Sequence, residues 1–225
     1  MQQEAAHLGR MFPSEDEHRS AHRRREQHTP PTHDRVVIGA SAGGIEALLM
    51  LLTHLPAGLA ASLFIVQHLS PSKPSQLATI LRRAARLPVQ WAAENRAITP
   101  STIYVAPPDH HLLLLEDGRL HLGTGPKEQR FRPSINVLFR SAAHSYGPRV
   151  IGVLLSGMNA DGTEGLQAIQ QQGGVAIIQD PRDAAFARMP QSAVAHVKSD
   201  YIMPVSWMAP VLLRLVTSSA AGDRW

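Results

Sequence analysis

The chain contains no cysteine. Disulfide bonds, thiolate metal sites and cysteine nucleophiles are therefore excluded, so any nucleophile has to be another residue type. No apolar run approaches the roughly 18 residues that a membrane-spanning helix needs, and we expect no membrane insertion. The N-terminus lacks the apolar stretch and small-residue cleavage site of a secretory signal, which favours a cytoplasmic protein.

Residues 1–34 are rich in His, Arg, Glu, Gln and Pro and contain few large apolar residues. Such a segment buries too little surface to offset the entropy of ordering, so we interpret it as a disordered polar tail. Residues 219–225 are interpreted as a second, short tail. The net charge is +4, and the basic excess lies after residue 34. This favours an acidic protein surface or a polyanion as the partner, although many basic domains bind nothing anionic. We expect no nucleic-acid partner.

From Arg35 onward, short apolar runs alternate with segments of helical period. The predicted strands are residues 36–38, 63–66, 103–106, 112–115, 120–122, 150–155 and 175–178. The predicted helices are residues 43–54, 75–86, 134–145, 162–172 and 207–216. Asp117-Gly118 signals a β-hairpin between two of the strands. The pattern predicts one α/β domain over residues 35–218, with a doubly wound, mostly parallel sheet and an antiparallel hairpin at one edge.

The sequence Gly-Ala-Ser-Ala-Gly at residues 39–43 fits the pattern G-x-S-x-G between a predicted strand and a predicted helix. That setting is typical of a nucleophile elbow, in which a sharp turn lifts the serine clear of the sheet. Ser41 is therefore the candidate nucleophile. The alternative is a glycine-rich turn that binds a phosphate at the helix N-terminus, but neither common nucleotide-binding glycine pattern is present.

His68 follows the second predicted strand, and Asp161 follows the strand at residues 150–155. Because the carboxyl ends of parallel strands meet at one edge of a sheet, both residues are expected near Ser41. Taken singly, His68 could be a surface histidine and Asp161 a helix N-cap. Together with Ser41 they suggest a Ser-His-Asp triad. The chain order differs from that of α/β-hydrolases and of the serine proteases, so we expect a different Rossmann-like hydrolase.

Five motifs in this order resemble the catalytic domain of the chemotaxis protein-glutamate methylesterase family. They are residues 36–44 (VVIGASAGG), 66–68 (VQH), 104–107 (YVAP), 132–134 (RPS) and 157–162 (GMNADG). The resemblance spans residues 35–216. It implies hydrolysis of glutamate methyl esters on the cytoplasmic helices of chemoreceptors with release of methanol, and deamidation of some receptor glutamines.

The resemblance also assigns roles to individual residues. It implies that Ser41, His68 and Asp161 are catalytic. Ala42 stands where family members commonly have threonine, which removes a hydroxyl but keeps a backbone N–H, and we expect the N–H groups of Ala42 and Met158 to stabilise an oxyanion. Arg130 and Arg132, in the longest predicted loop, are candidates for positioning an acidic receptor helix, the alternative being solvated loop charges.

The segment before the first strand is too short for a receiver domain. Well-known family members carry an N-terminal receiver domain, whereas here about 35 residues precede the first strand. We therefore expect regulation to be absent, supplied by a protein in trans, or located in a different complex. No cofactor or metal is expected, because adjacent histidines of a strand, as in Asp109-His110-His111, point to opposite faces. Two alternatives remain open: an esterase acting on a non-receptor ester, and a noncatalytic adaptor that binds receptor helices.

Overall fold

The computed structural model describes residues 33–69 and 75–218. The strands in this part of the chain are β1 (Arg35–Ala40), β2 (Ser62–Gln67), β3 (Val89–Trp91), β4 (Ile103–Val105), β5 (His111–Leu114), β6 (Leu120–Gly123), β7 (Val150–Leu154), β8 (Val175–Gln179) and β9 (Tyr201–Met203). The α-helices are α1 (Gly44–Thr53), α2 (Leu77–Ala84), α3 (Ile135–Tyr146), α4 (Thr163–Gln171), α5 (Arg188–His196) and α6 (Val205–Thr217).

Seven of the strands form one parallel sheet in the order β3-β4-β2-β1-β7-β8-β9. Successive side chains of a strand point to opposite faces, and β1 shows the result. Val36 and Ile38 pack with α1, α2 and α6 in one core, whereas Val37 packs with α3, α4 and α5 in the other. The predicted doubly wound α/β fold is confirmed.

The central strands define where a site can form. β1 pairs with β2 on one side and with β7 on the other. The chain therefore reverses its direction of progress across the sheet at β1, and the helices that follow β1 and β2 lie on the face opposite α3 and α4. Such a reversal leaves a crevice at the carboxyl ends of the central strands.

The hairpin of β5 and β6 differs from the prediction, because it forms its own two-stranded sheet and does not extend the edge of the main one. Its outer backbone groups are bound by side chains of α3. Ser141 Oγ accepts the Leu114 N–H at 3.1 Å, and Ser145 Oγ donates to the Leu114 carbonyl at 2.9 Å. These side chains take the place of a neighbouring strand.

Three short elements were not predicted. β3 and β9 have three residues each and lie at the two edges of the sheet, where little apolar surface is needed. α5 begins after Ala187 without a side-chain cap and contains Pro190 in its first turn, where a missing N–H costs no helical hydrogen bond. α5 therefore lacks the capping residue by which the start of a helix is recognised in a sequence.

The predicted tails mostly lie outside the described residues. Asp34, assigned to the N-terminal tail, belongs to the folded domain, because its carboxylate accepts a hydrogen bond from Arg149 Nε at 3.0 Å and from Arg35 Nη1 at 2.8 Å. In residues 33–69 and 75–218, no helix is both long enough and apolar enough to cross a bilayer.

We predict that Gly165→Ala lowers the free energy of unfolding by about 1–3 kcal/mol, since overpacking strains a filled interface. α3 and α4 touch closely at Gly165, where an added Cβ would lie 2.6 Å from Phe139 Cβ and 3.0 Å from Asn136 Cα. Urea denaturation measures the change. Gly58→Ala is the control, because an added Cβ meets no atom within 4 Å there. Equal midpoints for the two variants would contradict the close approach.

Candidate active site

Ser41 lies directly after β1, on the turn that leads into α1. Its N–H donates to the Ser156 carbonyl at 2.9 Å, and its carbonyl accepts the Gly44 N–H at 2.9 Å. Gly43 has φ 67°, and an added Cβ would lie 2.9 Å from Ser156 Oγ, so only glycine suits this position. The turn predicted from the G-x-S-x-G pattern is thus fixed by backbone hydrogen bonds.

His68 lies at the corresponding position after β2, and its imidazole joins the other two predicted residues. Nδ1 is 3.1 Å from Ser41 Oγ, and Nε2 is 2.8 Å from Asp161 Oδ2. The ring stacks on Phe131, with centroids 3.7 Å apart and planes 1° from parallel. The structure therefore brings together the three residues that were singled out from three distant motifs.

Asp161 is fully buried and lies against the N-terminus of α3. Its Oδ1 accepts hydrogen bonds from Ser134 Oγ at 2.9 Å and from the Asn136 N–H at 3.0 Å. Its Oδ2 accepts the Ile135 N–H at 2.8 Å as well as the His68 ring N–H. Unpaired N–H groups and the helix dipole both favour an anion at this place.

The same contacts set the ionisation of the carboxyl group. Burial by itself raises the pKa of Asp161, but the hydrogen bond from His68 and the backbone N–H groups of Asn136 and Ile135 outweigh it. The pKa of Asp161 therefore lies below its ordinary value. The side chain is held as a carboxylate, which can only accept hydrogen bonds.

The ionised Asp161 determines the tautomer of His68. Because the carboxylate is an acceptor, the imidazole nitrogen facing it, Nε2, has to carry the proton. In the neutral ring Nδ1 is then an unprotonated acceptor, and it faces the Ser41 hydroxyl. The arrangement suits removal of the Ser41 proton by Nδ1.

Two backbone N–H groups near Ser41 are free to bind a ligand. Neither the Ala42 N–H nor the Met158 N–H has a hydrogen-bond partner within the described part of the chain. The peptides beside them are held: Ser156 Oγ donates to the Ala42 carbonyl at 2.8 Å, and Gly157 N–H donates to the Phe186 carbonyl at 3.0 Å. Both N–H groups were predicted from the sequence to stabilise an oxyanion.

The two predicted loop arginines differ in their surroundings. The guanidinium of Arg132 binds Asp109 Oδ1 at 2.9 Å and the carbonyls of Thr124 and Gly125 at 2.7 and 2.8 Å. Arg132 thus shapes the loop, and its predicted contact with substrate stays a prediction. Arg130 is exposed and forms no ion pair with any residue that the structure describes.

The run Asp109-His110-His111 is engaged in the same loop. His111 Nδ1 accepts the Ser134 N–H at 3.2 Å, and His111 Nε2 donates to the Pro126 carbonyl at 3.0 Å. His110 Nδ1 is 3.0 Å from the Pro108 carbonyl. His111 therefore fastens the loop to the start of α3. Over the described ranges, no three acidic, histidine or cysteine residues form a group suited to a metal ion.

Several residues of the site were missed. Phe131 stacks on His68, Asn136 supports Asp161, and Gln67 donates from Nε2 to the Ser41 carbonyl at 2.8 Å. Gln67 stands beside His68 in a quoted motif, so its position was available as a signal. Phe131 and Asn136 are brought in by the long loop and α3, whose packing the sequence pattern does not specify.

A small pocket opens beside the imidazole of His68. It is lined by His68, Leu69, Lys127, Arg130, Phe131, Arg132 and Pro133. A larger groove between β5 and α3 shares no lining residue with it and contains no member of the triad. Of these two pockets, only the smaller one is lined by a triad residue, His68.

We predict that the stability advantage of the wild type over Asp161→Asn shrinks as the pH falls through about 4. A carboxyl group whose pKa is lowered by folding stabilises the native state above its unfolded pKa of about 3.9, and this contribution is lost as the pH drops towards the folded value. Urea unfolding of both proteins between pH 6 and pH 3 measures the difference. A gap that stays constant over this range would show that the native contacts do not favour the charged form.

Comparison with known proteins agrees with the fold. The family model for the CheB methylesterase matches residues 36–212. A Leptospira interrogans protein provisionally named protein-glutamate methylesterase/protein-glutamine glutaminase is 37% identical over 183 residues, which are 81% of this chain and 95% of the relative. The Myxococcus xanthus protein-glutamate methylesterase FrzG is 38% identical over 85% of this chain and 58% of its own length.

Among solved structures, the CheB methylesterase catalytic domain of Thermotoga maritima superposes with a TM-score of 0.79 at 32% identity. The match covers 82% of this chain and 99% of that domain. A family model that spans most of the chain, a relative matched over nearly its whole length and a structural match at this level all agree. The chain belongs to the CheB methylesterase family.

Proposed function

We propose that the chain is a serine hydrolase that removes methyl esters from glutamate side chains of chemoreceptors, and that it also deamidates receptor glutamines. The main support is the line of two hydrogen bonds, 3.1 Å and 2.8 Å long, that joins Ser41 to His68 and His68 to Asp161. The names of the relatives supply the substrate class. The methylated receptor helices on which the CheB methylesterase family acts are cytoplasmic, so we propose that this chain is cytoplasmic as well.

The reaction begins when the Ser41 hydroxyl attacks the ester carbonyl and transfers its proton to His68 Nδ1. The imidazolium is then an N–H donor at both nitrogens, and Asp161 stabilises its charge. Nδ1 returns the proton to the departing methoxide, which leaves as methanol. Water next gives a proton to Nδ1 and attacks the acyl-enzyme. Nδ1 then returns this proton to the departing Ser41 Oγ, which frees the glutamate and restores both Ser41 and neutral His68. A glutamine amide follows the same route with ammonia as the leaving group.

Negative charge on the carbonyl oxygen would be stabilised by the free N–H groups of Ala42 and Met158. Gln67 supports the first donor through the peptide between Ser41 and Ala42. The carbonyl of that peptide is held by Gln67 Nε2 and by the Gly44 N–H, and the N–H of a trans peptide points away from its carbonyl. The orientation of the Ala42 N–H is thereby fixed before substrate binds, which is what makes such a donor effective.

We also propose an acidic receptor helix as the partner and a regulatory protein that acts in trans. Arg130 is the loop arginine suited to an acidic receptor helix, since Arg132 already binds Asp109. No nucleic acid is invoked. A regulatory protein acting in trans would have to control access to the crevice at the ends of β1, β2 and β7, where the three catalytic side chains lie.

Methanol release from methylated chemoreceptor fragments tests the function and the triad together. We expect Ser41→Ala and His68→Ala to lose about 10⁶-fold in kcat, since Ser41 is the nucleophile and His68 its base, and Asp161→Asn to lose about 10⁴-fold because an amide can favour the wrong tautomer. Ser206→Ala, an exposed serine on α6, is the matched control and should retain full activity. A receptor fragment that binds but is never hydrolysed would favour a noncatalytic adaptor.

Gln67→Leu tests the oxyanion donor. We expect kcat to fall about 10- to 100-fold with little change in KM, because a loosened Ala42 N–H weakens contacts made in the transition state. Ser62→Ala is the control, as it removes another buried hydrogen bond to a backbone carbonyl, that of Thr99, far from the site. Equal losses of kcat in the two variants would mean that Gln67 acts only through stability.

A further inference from the structure

Two large apolar side chains are exposed on one side of Ser41. Met158 is 58% exposed and Phe186 is 42% exposed. Both belong to segments that the backbone hydrogen bonds of the site hold in place, so their exposure does not result from loose ends of the chain. Exposed apolar side chains that surround a functional site commonly mark where a partner binds.

Phe186 is fixed against the nucleophile turn. Its N–H donates to Ser156 Oγ at 2.9 Å, and its carbonyl accepts the Gly157 N–H at 3.0 Å. Its Cδ2 atom lies only 3.1 Å from where a Cβ on Gly43 would be, two residues after Ser41. The aromatic ring therefore borders the serine on the side of the loop that follows β7.

Met158 belongs to that same loop. Its neighbour Asn159 accepts the Asp161 N–H at 2.9 Å and places Nδ2 at 3.5 Å from His68 Nδ1. Its other neighbour, Gly157, is bound to Phe186. The Met158 side chain thus extends into solvent from a loop fastened at both sides. We call Met158 and Phe186 the apolar rim.

A second part of the site, beside His68, is basic. Lys127 and Arg130 line the pocket beside His68 and Phe131, and both are exposed. Neither forms an ion pair within residues 33–69 and 75–218, whereas Arg132 and Arg140 in and next to the same loop are bound to Asp109 and Glu128. We call Lys127 and Arg130 the basic rim.

We infer that the two rims form one docking surface for an amphipathic acidic helix, and that they set its orientation across the site. This inference rests on the proposed function. The esterified glutamate of such a helix would enter between the rims, with acidic neighbours along the flank that faces Lys127 and Arg130. Apolar neighbours along the other flank would cover Met158 and Phe186. A helix with one apolar and one charged face presents both features to a groove of this kind.

The two rims contribute in different ways. Burial of apolar surface stabilises the complex and depends little on screening by salt. Exposed charges contribute little affinity but accelerate association, and salt screens them. Removal of the apolar rim should therefore weaken the complex at any ionic strength, and removal of the basic rim should act mainly at low salt.

The test compares kcat/KM for a methylated receptor fragment with kcat/KM for a small neutral ester, 4-nitrophenyl acetate. We expect the ratio of the two to fall at least tenfold in Met158→Ala/Phe186→Ala. In Lys127→Ala/Arg130→Ala we expect a fall of about fivefold at 20 mM salt that largely disappears at 300 mM salt. The single variant Phe186→Leu keeps Met158 and an apolar side chain at residue 186. Its ratio should therefore stay much closer to that of the wild type than the ratio of the double variant does.

Matched controls come from exposed residues elsewhere on the domain. Ile202→Ala removes a 48% exposed apolar side chain from β9, and Arg83→Ala removes an exposed cation from α2. Suppose that the wild type hydrolyses the receptor fragment and that the ratio stays within twofold of wild type in both double variants. This result overturns the docking surface and leaves the proposed function intact. A wild type that hydrolyses the small ester but no receptor fragment overturns the proposed function, and the docking surface with it.

Discussion

The hydrogen bond between the Asp161 carboxylate and His68 is the interaction on which the rest of the site depends. A buried carboxylate is costly unless its oxygens are satisfied, and here both oxygens are bound by donors from the start of α3. The helix N-terminus thus gains an anion that it would otherwise lack, and Asp161 gains a fixed position. His68 is then held by a group that cannot move, and its Nδ1 is directed at Ser41.

The support continues into the packing of the domain. Asn136, whose N–H binds Asp161, also accepts the N–H groups of Gly162 and Gly165 at 2.9 and 2.8 Å through its side-chain oxygen. The start of α3 therefore satisfies Asp161, and a side chain of α3 satisfies the start of α4. The close contact at Gly165 makes this exchange possible. A substitution at the contact between α3 and α4 would consequently disturb Asn136 and Asp161, and through Asp161 the position of His68.

The sequence allowed the framework of the site to be predicted, because its signals are local. Ser41, His68 and Asp161 each follow an apolar run that became a central parallel strand, and the convergence of such strands placed the three side chains together. Phe131 and the guanidinium contacts of Arg132 could not be found in this way, since the loop that contains them is shaped by hydrogen bonds to Asp109 and His111. The hairpin was assigned to the edge of the sheet because no local signal shows that serines of α3 bind its backbone.

The tautomer of His68 tests the central claim most directly. Nitrogen-15 NMR of the ring at a pH where His68 is neutral distinguishes a protonated nitrogen from an unprotonated one. We expect a proton on Nε2 and none on Nδ1 in the wild type, with loss of this preference in Asp161→Asn. A wild-type ring that carries its proton on Nδ1 would contradict the account, because Nδ1 could then not accept the proton of Ser41.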